Sequence, residues 1–187
     1  MRRLFVGALA FAVAALSAYA GYRLSLARAP AGTGATAVSP AMAAAPAVDP
    51  FALRIADLDG RERSLSEWRG KILVVNFWGT WCPPCVVEIP EFVHLQQEWG
   101  ERDLQFVGIA LDDPAAVAAF VTDKGVNYPV LVGEDVVTDL MRVLGNRIGG
   151  LPYTVVFDRA GQVVHVQQGE WKTAAARAVL EPLLTAR

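Results

Sequence analysis

The sequence predicts an α/β fold in which helices flank a central sheet of mixed strand direction. A continuous apolar run, Lys71–Phe77, is typical of a strand that is covered on both faces of a sheet. Segments with helical spacing of apolar residues alternate with further strand-like segments along the chain. Near the end, Tyr153–Asp158 and Gln162–Gln167 flank the turn signal Arg159-Ala160-Gly161, so these two segments are predicted to form a hairpin.

The elements before the long apolar strand are short. Phe51–Leu58 alternates and enters the turn signal Asp59-Gly60, after which Arg63-Ser64-Leu65 is predicted to return as an edge strand. After the apolar strand, a helix is predicted over Pro83–Trp99, where apolar residues recur at helical spacing. Pro90 lies inside this segment and should kink the helix.

The remaining elements follow in order. Leu104–Leu111 is predicted as a second buried strand. The next helix is predicted to begin at Pro114 and to end at Gly125, and Asp112 and Asp113 are interpreted as capping residues. Further predicted elements are a short strand over Tyr128–Val132, a helix over Val136–Leu144 and a closing helix over Thr173–Leu184, which Pro182 could shorten.

The first 26 residues are predicted to be a membrane anchor or a signal segment. Met1-Arg2-Arg3 precedes an uncharged run from Leu4 to Tyr22, which is long enough for a membrane span of about 20 residues. This length favours an anchor that stays in place. The small residues of Ala18-Tyr19-Ala20 leave cleavage near Ala20 as the alternative.

Two further segments follow the N-terminal one. Residues 27–50 are rich in Ala, Pro and Gly without hydrophobic periodicity, and they are predicted to form a flexible linker. Residues 51–187 are predicted to be the folded domain. This domain carries 13 basic and 18 acidic side chains, and such an acidic balance gives no reason to expect a nucleic-acid partner.

The chemistry of the chain is expected at its only two cysteines, in the motif Trp81-Cys82-Pro83-Pro84-Cys85. They follow the buried strand and open the predicted helix, where unpaired N–H groups and the helix dipole stabilise a thiolate. The thiolate, rather than the thiol, attacks disulfides. The two cysteines are too close in sequence to act mainly as a structural crosslink. The motif therefore predicts a dithiol that exchanges electrons with another disulfide.

The segment from Phe77 to Cys85, together with Gly150-Leu151-Pro152-Tyr153-Thr154, resembles the thioredoxin superfamily. More narrowly, it is similar to the TlpA/ResA/CcmG-like extracytoplasmic thiol–disulfide oxidoreductases. Asn76, Glu88 and the segment 108–132, which matches a strand–helix insertion typical of this branch, favour the narrower resemblance. It implies a thioredoxin-like fold with an N-terminal strand or hairpin extension.

The resemblance also implies roles for single residues. Cys82, the more exposed cysteine, is the expected nucleophile, and Cys85 is expected to resolve the mixed disulfide, so that the two form a redox-active disulfide. Glu88 is expected to exchange a proton with Cys85 or to raise the thiol pKa values. Pro152 matches the family's cis-proline. The expected substrate-binding residues are Trp81, Pro83, Pro84, Leu151 and Pro152.

The two prolines of the motif indicate a reducing pair. Proline has no N–H, so Pro83 and Pro84 remove two donors that could have stabilised the Cys82 thiolate. A stabilised thiolate favours the dithiol and makes a pair oxidising. We therefore expect the Cys82–Cys85 pair to act as a reductant.

These residues predict a periplasmic enzyme, tethered to the inner membrane, that reduces disulfides in partner proteins. By resemblance, its electrons come from a membrane dithiol donor, and its substrates are apocytochrome c or the cysteines of a copper-site protein. No cofactor is expected, because the pair is itself the redox centre, and a zinc site would need two more ligands. A copper(I) chaperone and a disulfide-forming oxidant remain open as alternatives, which copper titration and the reduction potential would separate.

Overall fold

The structure is a computed structural model, and it describes residues 49–185. The predicted anchor or signal segment over 1–26 lies outside the described residues, as does nearly all of the predicted linker over 27–50. Among the helices between residues 49 and 185, none combines the length and the apolar character needed to cross a membrane.

Within residues 49–185, seven strands form one sheet. The strands are β1 (Arg54–Asp57), β2 (Glu62–Ser64), β3 (Ile72–Trp78), β4 (Leu104–Ala110), β5 (Val130–Val132), β6 (Tyr153–Phe157) and β7 (Val163–Gln168). Their order across the sheet is β2-β1-β5-β4-β3-β6-β7. The pairs β3–β4 and β4–β5 are parallel and the other four pairs are antiparallel, which confirms the predicted mixed sheet.

The helices pack on the two faces of this sheet. They are α1 (Pro83–Trp99), α2 (Pro114–Lys124), α3 (Asp135–Val143) and α4 (Thr173–Thr185). Side chains of α1, α2 and α4 contribute to a core with Val74 and Trp78 of β3. Those of α3 contribute to a second core with Val75 and Phe77. Every residue of β3 is buried, and this burial on both faces explains the uninterrupted apolar run in the sequence.

Most element boundaries agree with the prediction to within one or two residues, and α1 has the predicted bounds. The closing helix continues past Pro182 to Thr185. Proline removes one N–H near the end of this helix, where the exposed Ala178 can bond to water through its carbonyl instead. The helix α1 likewise continues through Pro90, and the kink stays a prediction.

The predicted insertion over 108–132 contains the end of β4, all of α2 and all of β5. Asp113 caps α2, since its Oδ1 accepts hydrogen bonds from Ala115 N and Ala116 N, both at 3.0 Å. Gly125 follows the helix with φ 62°, a left-handed conformation that favours glycine. Because β5 pairs with both β4 and β1, the insertion joins the N-terminal hairpin to the rest of the sheet.

Candidate active site

Cys82 and Cys85 form a disulfide at the N-terminus of α1, with their Cα atoms 5.3 Å apart. Cys82 is the N-cap residue, and Pro83 and Pro84 occupy the first two positions of the helix. Because both prolines lack N–H groups, the first helical amide that can point toward Cys82 belongs to Cys85. The structure thus places the prolines where they remove donors from the helix end, as the sequence predicts.

The two cysteines differ slightly in exposure. Cys82 is 3% exposed and Cys85 is fully buried, so the predicted order is confirmed, although Cys82 is itself nearly covered in the disulfide form. Pro83 is exposed and Pro84 is half-buried. The accessible surface at this end of α1 therefore comes mainly from the residues around the disulfide rather than from the sulfur atoms.

Glu88 lies on α1 one turn after Cys85, a spacing that places the two side chains on the same face of the helix. Its side chain is only 1% exposed. Burial raises the pKa of Glu88 to about 7, although hydrogen bonds from Trp171 N and Asn76 Nδ2 oppose the rise. A carboxyl group with this pKa can both give and take a proton near neutrality.

Three elements hold the Glu88 carboxyl group in place. Asn76 Nδ2, on β3, donates to Glu88 Oε1 at 2.9 Å. The same nitrogen donates to Thr154 Oγ1, on β6, also at 2.9 Å. Trp171 N, in the segment before α4, donates to Glu88 Oε2 at 2.8 Å. Asn76 Oδ1 is buried without a hydrogen-bond partner, so this buried polar set is not fully satisfied.

Trp81 presents the largest exposed aromatic surface next to the cysteines, since 62% of it is exposed. Its Nε1 donates to Leu111 O at 3.1 Å. A Cβ atom at Gly79 would lie 2.8 Å from Trp81 Nε1, which is closer than side chains allow. The indole therefore rests on the bare backbone of Gly79, and Cys82 N in turn donates to Gly79 O at 3.1 Å.

Asp112 does not cap α2, so that part of the capping interpretation is wrong. Its Oδ2 accepts hydrogen bonds from Thr80 N at 2.7 Å and from Thr80 Oγ1 at 2.6 Å. Burial alone would raise the pKa of Asp112, but the hydrogen bonds from Thr80 and Asp113 outweigh it and lower the pKa. Since Asp113 by itself satisfies the helix end, Asp112 is free to bind the loop before the disulfide.

The predicted cis-proline is confirmed, because the Leu151–Pro152 peptide bond is cis. Tyr153 of β6 pairs with Phe77 of β3. Pro152, the residue before Tyr153, therefore lies next to the C-terminal end of β3, which Trp78 forms. Leu151 is half-buried. In the loop before it, Asn146 Nδ2 donates to Gly150 O at 2.8 Å, while Ile148 is 81% exposed. The substrate-binding roles of Leu151 and Pro152 stay predictions.

Metal ligands do not cluster in the part of the chain that the structure describes. Over residues 49–185, no group of three or more His, Cys, Asp or Glu side chains could hold a metal ion. His165 lies on the edge strand β7 and stacks on Trp171, with the ring centroids 5.2 Å apart.

The fold and the Cys-x-x-Cys disulfide at the start of α1 define a protein of the thioredoxin superfamily. The Redoxin family model matches residues 29–183, and the chain belongs to this family. A thiol:disulfide interchange protein of the thioredoxin family from Chlorobium tepidum TLS is 32% identical. Its structure has a TM-score of 0.63, and the match covers 71% of this chain and 92% of that chain.

Two further relatives point the same way. The thiol-disulfide oxidoreductase ResA of Bacillus thuringiensis (strain Al Hakam) is 31% identical over 118 residues, which are 62% of this chain and 65% of ResA. The match thus spans slightly less than two thirds of this relative's length. A secreted thiol-disulfide isomerase from Corynebacterium glutamicum is 24% identical, with a TM-score of 0.65 over 72% of this chain and 84% of that chain, and supports the fold alone. The predicted resemblance to ResA/CcmG-like proteins is confirmed.

Sequence reasoning missed several contacts of the site. Trp171 contributes a backbone N–H, which has no signature in the sequence. Thr154 lies within the Gly150–Thr154 motif, so its position was available although its role was not. For Asp112 a signal existed, because a helix N-terminus needs one capping carboxylate and Asp113 already supplies it.

Proposed function

We propose that this chain is an exported thiol–disulfide oxidoreductase that reduces disulfides in partner proteins. The observation that carries the proposal is the Cys82–Cys85 disulfide at the N-terminus of α1, flanked by the exposed Trp81. The relatives named thiol-disulfide oxidoreductase ResA and thiol:disulfide interchange protein support the same activity.

In the proposed reaction, the reduced protein starts with two thiols. The Cys82 thiol loses its proton, and the resulting thiolate attacks one sulfur of the partner's disulfide. The other partner sulfur leaves as a thiolate and takes up a proton. Cys85 then loses its proton and attacks Cys82 Sγ, which releases the second partner thiol. Two electrons and two protons pass to the partner, and the Cys82–Cys85 disulfide forms. Glu88 is the proposed acceptor of the Cys85 proton, since its buried carboxyl group titrates near neutrality.

Substitution of each cysteine tests this order of events. Cys85→Ser should accumulate a mixed disulfide between Cys82 and the partner, because the resolving thiol is missing. Cys82→Ser should form no such adduct. Both variants should lose turnover with a protein disulfide. If Cys82→Ser forms the adduct and Cys85→Ser does not, the proposed roles are reversed.

The direction of electron flow is proposed to be reductive. With Pro83 and Pro84 at the first two helical positions, few N–H donors remain to stabilise a Cys82 thiolate. The measurement is the equilibrium reduction potential of the pair in thiol buffers. A potential of about −270 mV or below would support a reductant, whereas about −120 mV would establish an oxidant.

The proposed location is the periplasmic side of the inner membrane, with the chain tethered by its N-terminal segment or released after cleavage near Ala20. The proposed substrates are apocytochrome c or the cysteines of a copper-site protein, and the proposed electron source is a membrane dithiol protein. Capture on Cys85→Ser in the native host tests the substrates, because the trapped partner can be identified by mass spectrometry. Membrane fractionation tests the tether, and recovery of the full-length chain in the soluble fraction would contradict it.

A further inference from the structure

The loop between β3 and α1 is attached to the segment that follows β4. Asp112 is bound to both hydrogen-bond donors of Thr80, at 2.7 Å and 2.6 Å. Its second oxygen, Oδ1, accepts a hydrogen bond from Asp113 N at 2.8 Å. Leu111 N donates to Trp78 O at 2.9 Å, so the two segments are joined on both sides of Gly79. A single carboxylate thus receives three hydrogen bonds, two of them from the residue before Trp81.

This attachment determines where the exposed indole of Trp81 lies. The indole Nε1 donates to Leu111 O, one residue before Asp112, and the ring rests on Gly79. Such an exposed bond competes with water and is worth little by itself. The indole can stay in one place only if the backbone on both sides of it is fixed. Asp112 fixes Thr80 on one side, and Cys82 fixes the other as the N-cap residue of α1.

We infer that Asp112 is a positioning residue for disulfide exchange, which holds Thr80 and thereby keeps the Trp81 indole on Leu111 as a fixed surface for a protein substrate. The inference rests on the proposed function. The hydrogen bonds of Asp112 come from Thr80 and Asp113 rather than from a cysteine, so its effect is confined to substrates large enough to contact Trp81. A small disulfide that reaches only the sulfur atoms is unaffected.

The neighbouring Asp113 provides a matched control. It is an exposed carboxylate one residue away, and its side chain caps α2 without contacting Thr80. Asp113→Ala costs helix-capping stability but keeps the backbone N–H that bonds to Asp112. Asp112→Ala removes the acceptor of Thr80. Asp112→Asn keeps one carbonyl oxygen that can accept both Thr80 bonds, so it should keep Thr80 attached, although its NH2 group offers no acceptor to Asp113 N.

The first readout is hydrogen exchange of the Trp81 indole N–H, followed by NMR on the oxidised full chain. Trp81→Phe assigns this resonance among the five tryptophans. We expect exchange to become about tenfold faster in Asp112→Ala, because charge-assisted hydrogen bonds that hold the loop are lost. Asp113→Ala and Asp112→Asn should exchange like the wild type. Equal exchange in Asp112→Ala and the wild type would overturn the inference.

The second readout compares two substrates. With a protein disulfide such as insulin, Asp112→Ala should raise KM by about tenfold and leave kcat unchanged, because binding loses its fixed contact. With a small aromatic disulfide, Asp112→Ala, Asp113→Ala and the wild type should react at the same rate. An equal loss on both substrates would mean that Asp112 acts on the cysteines, and the positioning inference would be wrong. If the wild type reduces neither substrate, the proposed function is wrong, whereas an active wild type with unchanged Asp112→Ala overturns only the inference.

Discussion

Two carboxylates, Glu88 on α1 and Asp112 bound to the loop before the disulfide, have pKa values that shift in opposite directions. Glu88 is buried, and burial raises its pKa to about 7 despite two hydrogen bonds from N–H groups. Asp112 is only partly buried, and its three hydrogen bonds lower its pKa despite some burial. Both carboxylates accept hydrogen bonds from several donors, so the number of donors does not decide whether the pKa rises or falls. Access to water decides the direction of the pKa shift, because a buried carboxylate loses more hydration free energy than two hydrogen bonds restore.

The difference between the two pKa shifts suits the two carboxylates to different roles. Glu88 can change its protonation near neutral pH, which suits a group that exchanges a proton with Cys85. Asp112 stays ionised over the same range, which suits a permanent attachment of the loop that carries Trp81.

Asn76→Asp should have the largest effect on stability, because it changes the buried surroundings of Glu88. It places a second carboxyl group 2.9 Å from Glu88 Oε1, in place of a hydrogen-bond donor. Two carboxylates at this distance cannot both ionise in the core, so we expect a loss of about 4 kcal/mol in the free energy of unfolding at pH 8. At pH 5 the loss should be smaller. Asn127→Asp makes the same chemical change at an exposed site, where it removes one exposed hydrogen bond to Val93 O, and it should cost about 1 kcal/mol or less. Denaturant unfolding at both pH values provides the comparison.

Glu88→Gln should change how stability depends on pH. The folded pKa of about 7 lies above the ordinary value of 4.5, so the folded state binds the proton more tightly than the unfolded state. Stability is therefore fully present below pH 4.5 and is lost as pH rises through 7, by up to about 3 kcal/mol. Glu88→Gln cannot ionise and should lack this loss. Glu91→Gln, on the exposed face of the same helix, controls for the change in net charge, and parallel pH profiles for wild type and Glu88→Gln would refute the prediction.

Two threonine substitutions compare the surroundings of Glu88 directly with those of Asp112. Thr154→Val removes a fully buried acceptor of Asn76 Nδ2, and we expect it to cost about 1–2 kcal/mol in unfolding free energy. Thr80→Val removes one of the three donors to Asp112, and the backbone N–H of Thr80 stays in place while water can replace the lost hydroxyl. Its cost should stay below about 0.5 kcal/mol. Thermal or denaturant unfolding measures both, and a larger cost for Thr80→Val would reverse the comparison.

Asp112→Asn should have a small effect on stability and a pH dependence opposite to that of Glu88→Gln. Because the folded pKa of Asp112 lies below the ordinary value of 3.8, its contribution is present above pH 3.8 and is lost as pH falls through the folded value. We expect Asp112→Asn to be less stable than the wild type at pH 7 by under about 1 kcal/mol, and equally stable in strong acid. A difference that persists unchanged into strong acid would contradict this expectation, and acid titration of unfolding measures it.

The sequence was informative about the frame of the site. Hydrophobic periodicity gave β3 and α1 to within a residue, since both are long elements with strongly patterned burial. Asp113 and Pro114 marked the start of α2 by local chemistry alone. The two cysteines could be identified because their spacing and their place between strand and helix are local properties as well.

The environment of the carboxylates could not be read from the sequence. A glutamate on a helix is usually exposed, and the burial of Glu88 depends on its contacts with Asn76 and Trp171, which are 12 and 83 residues away. The contact between Thr80 and Asp112 spans 32 residues. Such contacts depend on how strands and loops are brought together, which short-range patterns do not specify.

The loop before Pro152 has a practical consequence for protein engineering. Its backbone is held from within by Asn146, while Ile148 projects outward and is 81% exposed. Ile148 also makes no part of either hydrophobic core. A library that varies Ile148 and its exposed neighbour Arg147, and keeps Gly149 because its φ of 70° favours glycine, therefore leaves β3, α1 and the Glu88 carboxyl group unchanged. On the proposed function, such a library would show whether this loop selects the protein substrate while the same cysteine pair carries out the chemistry.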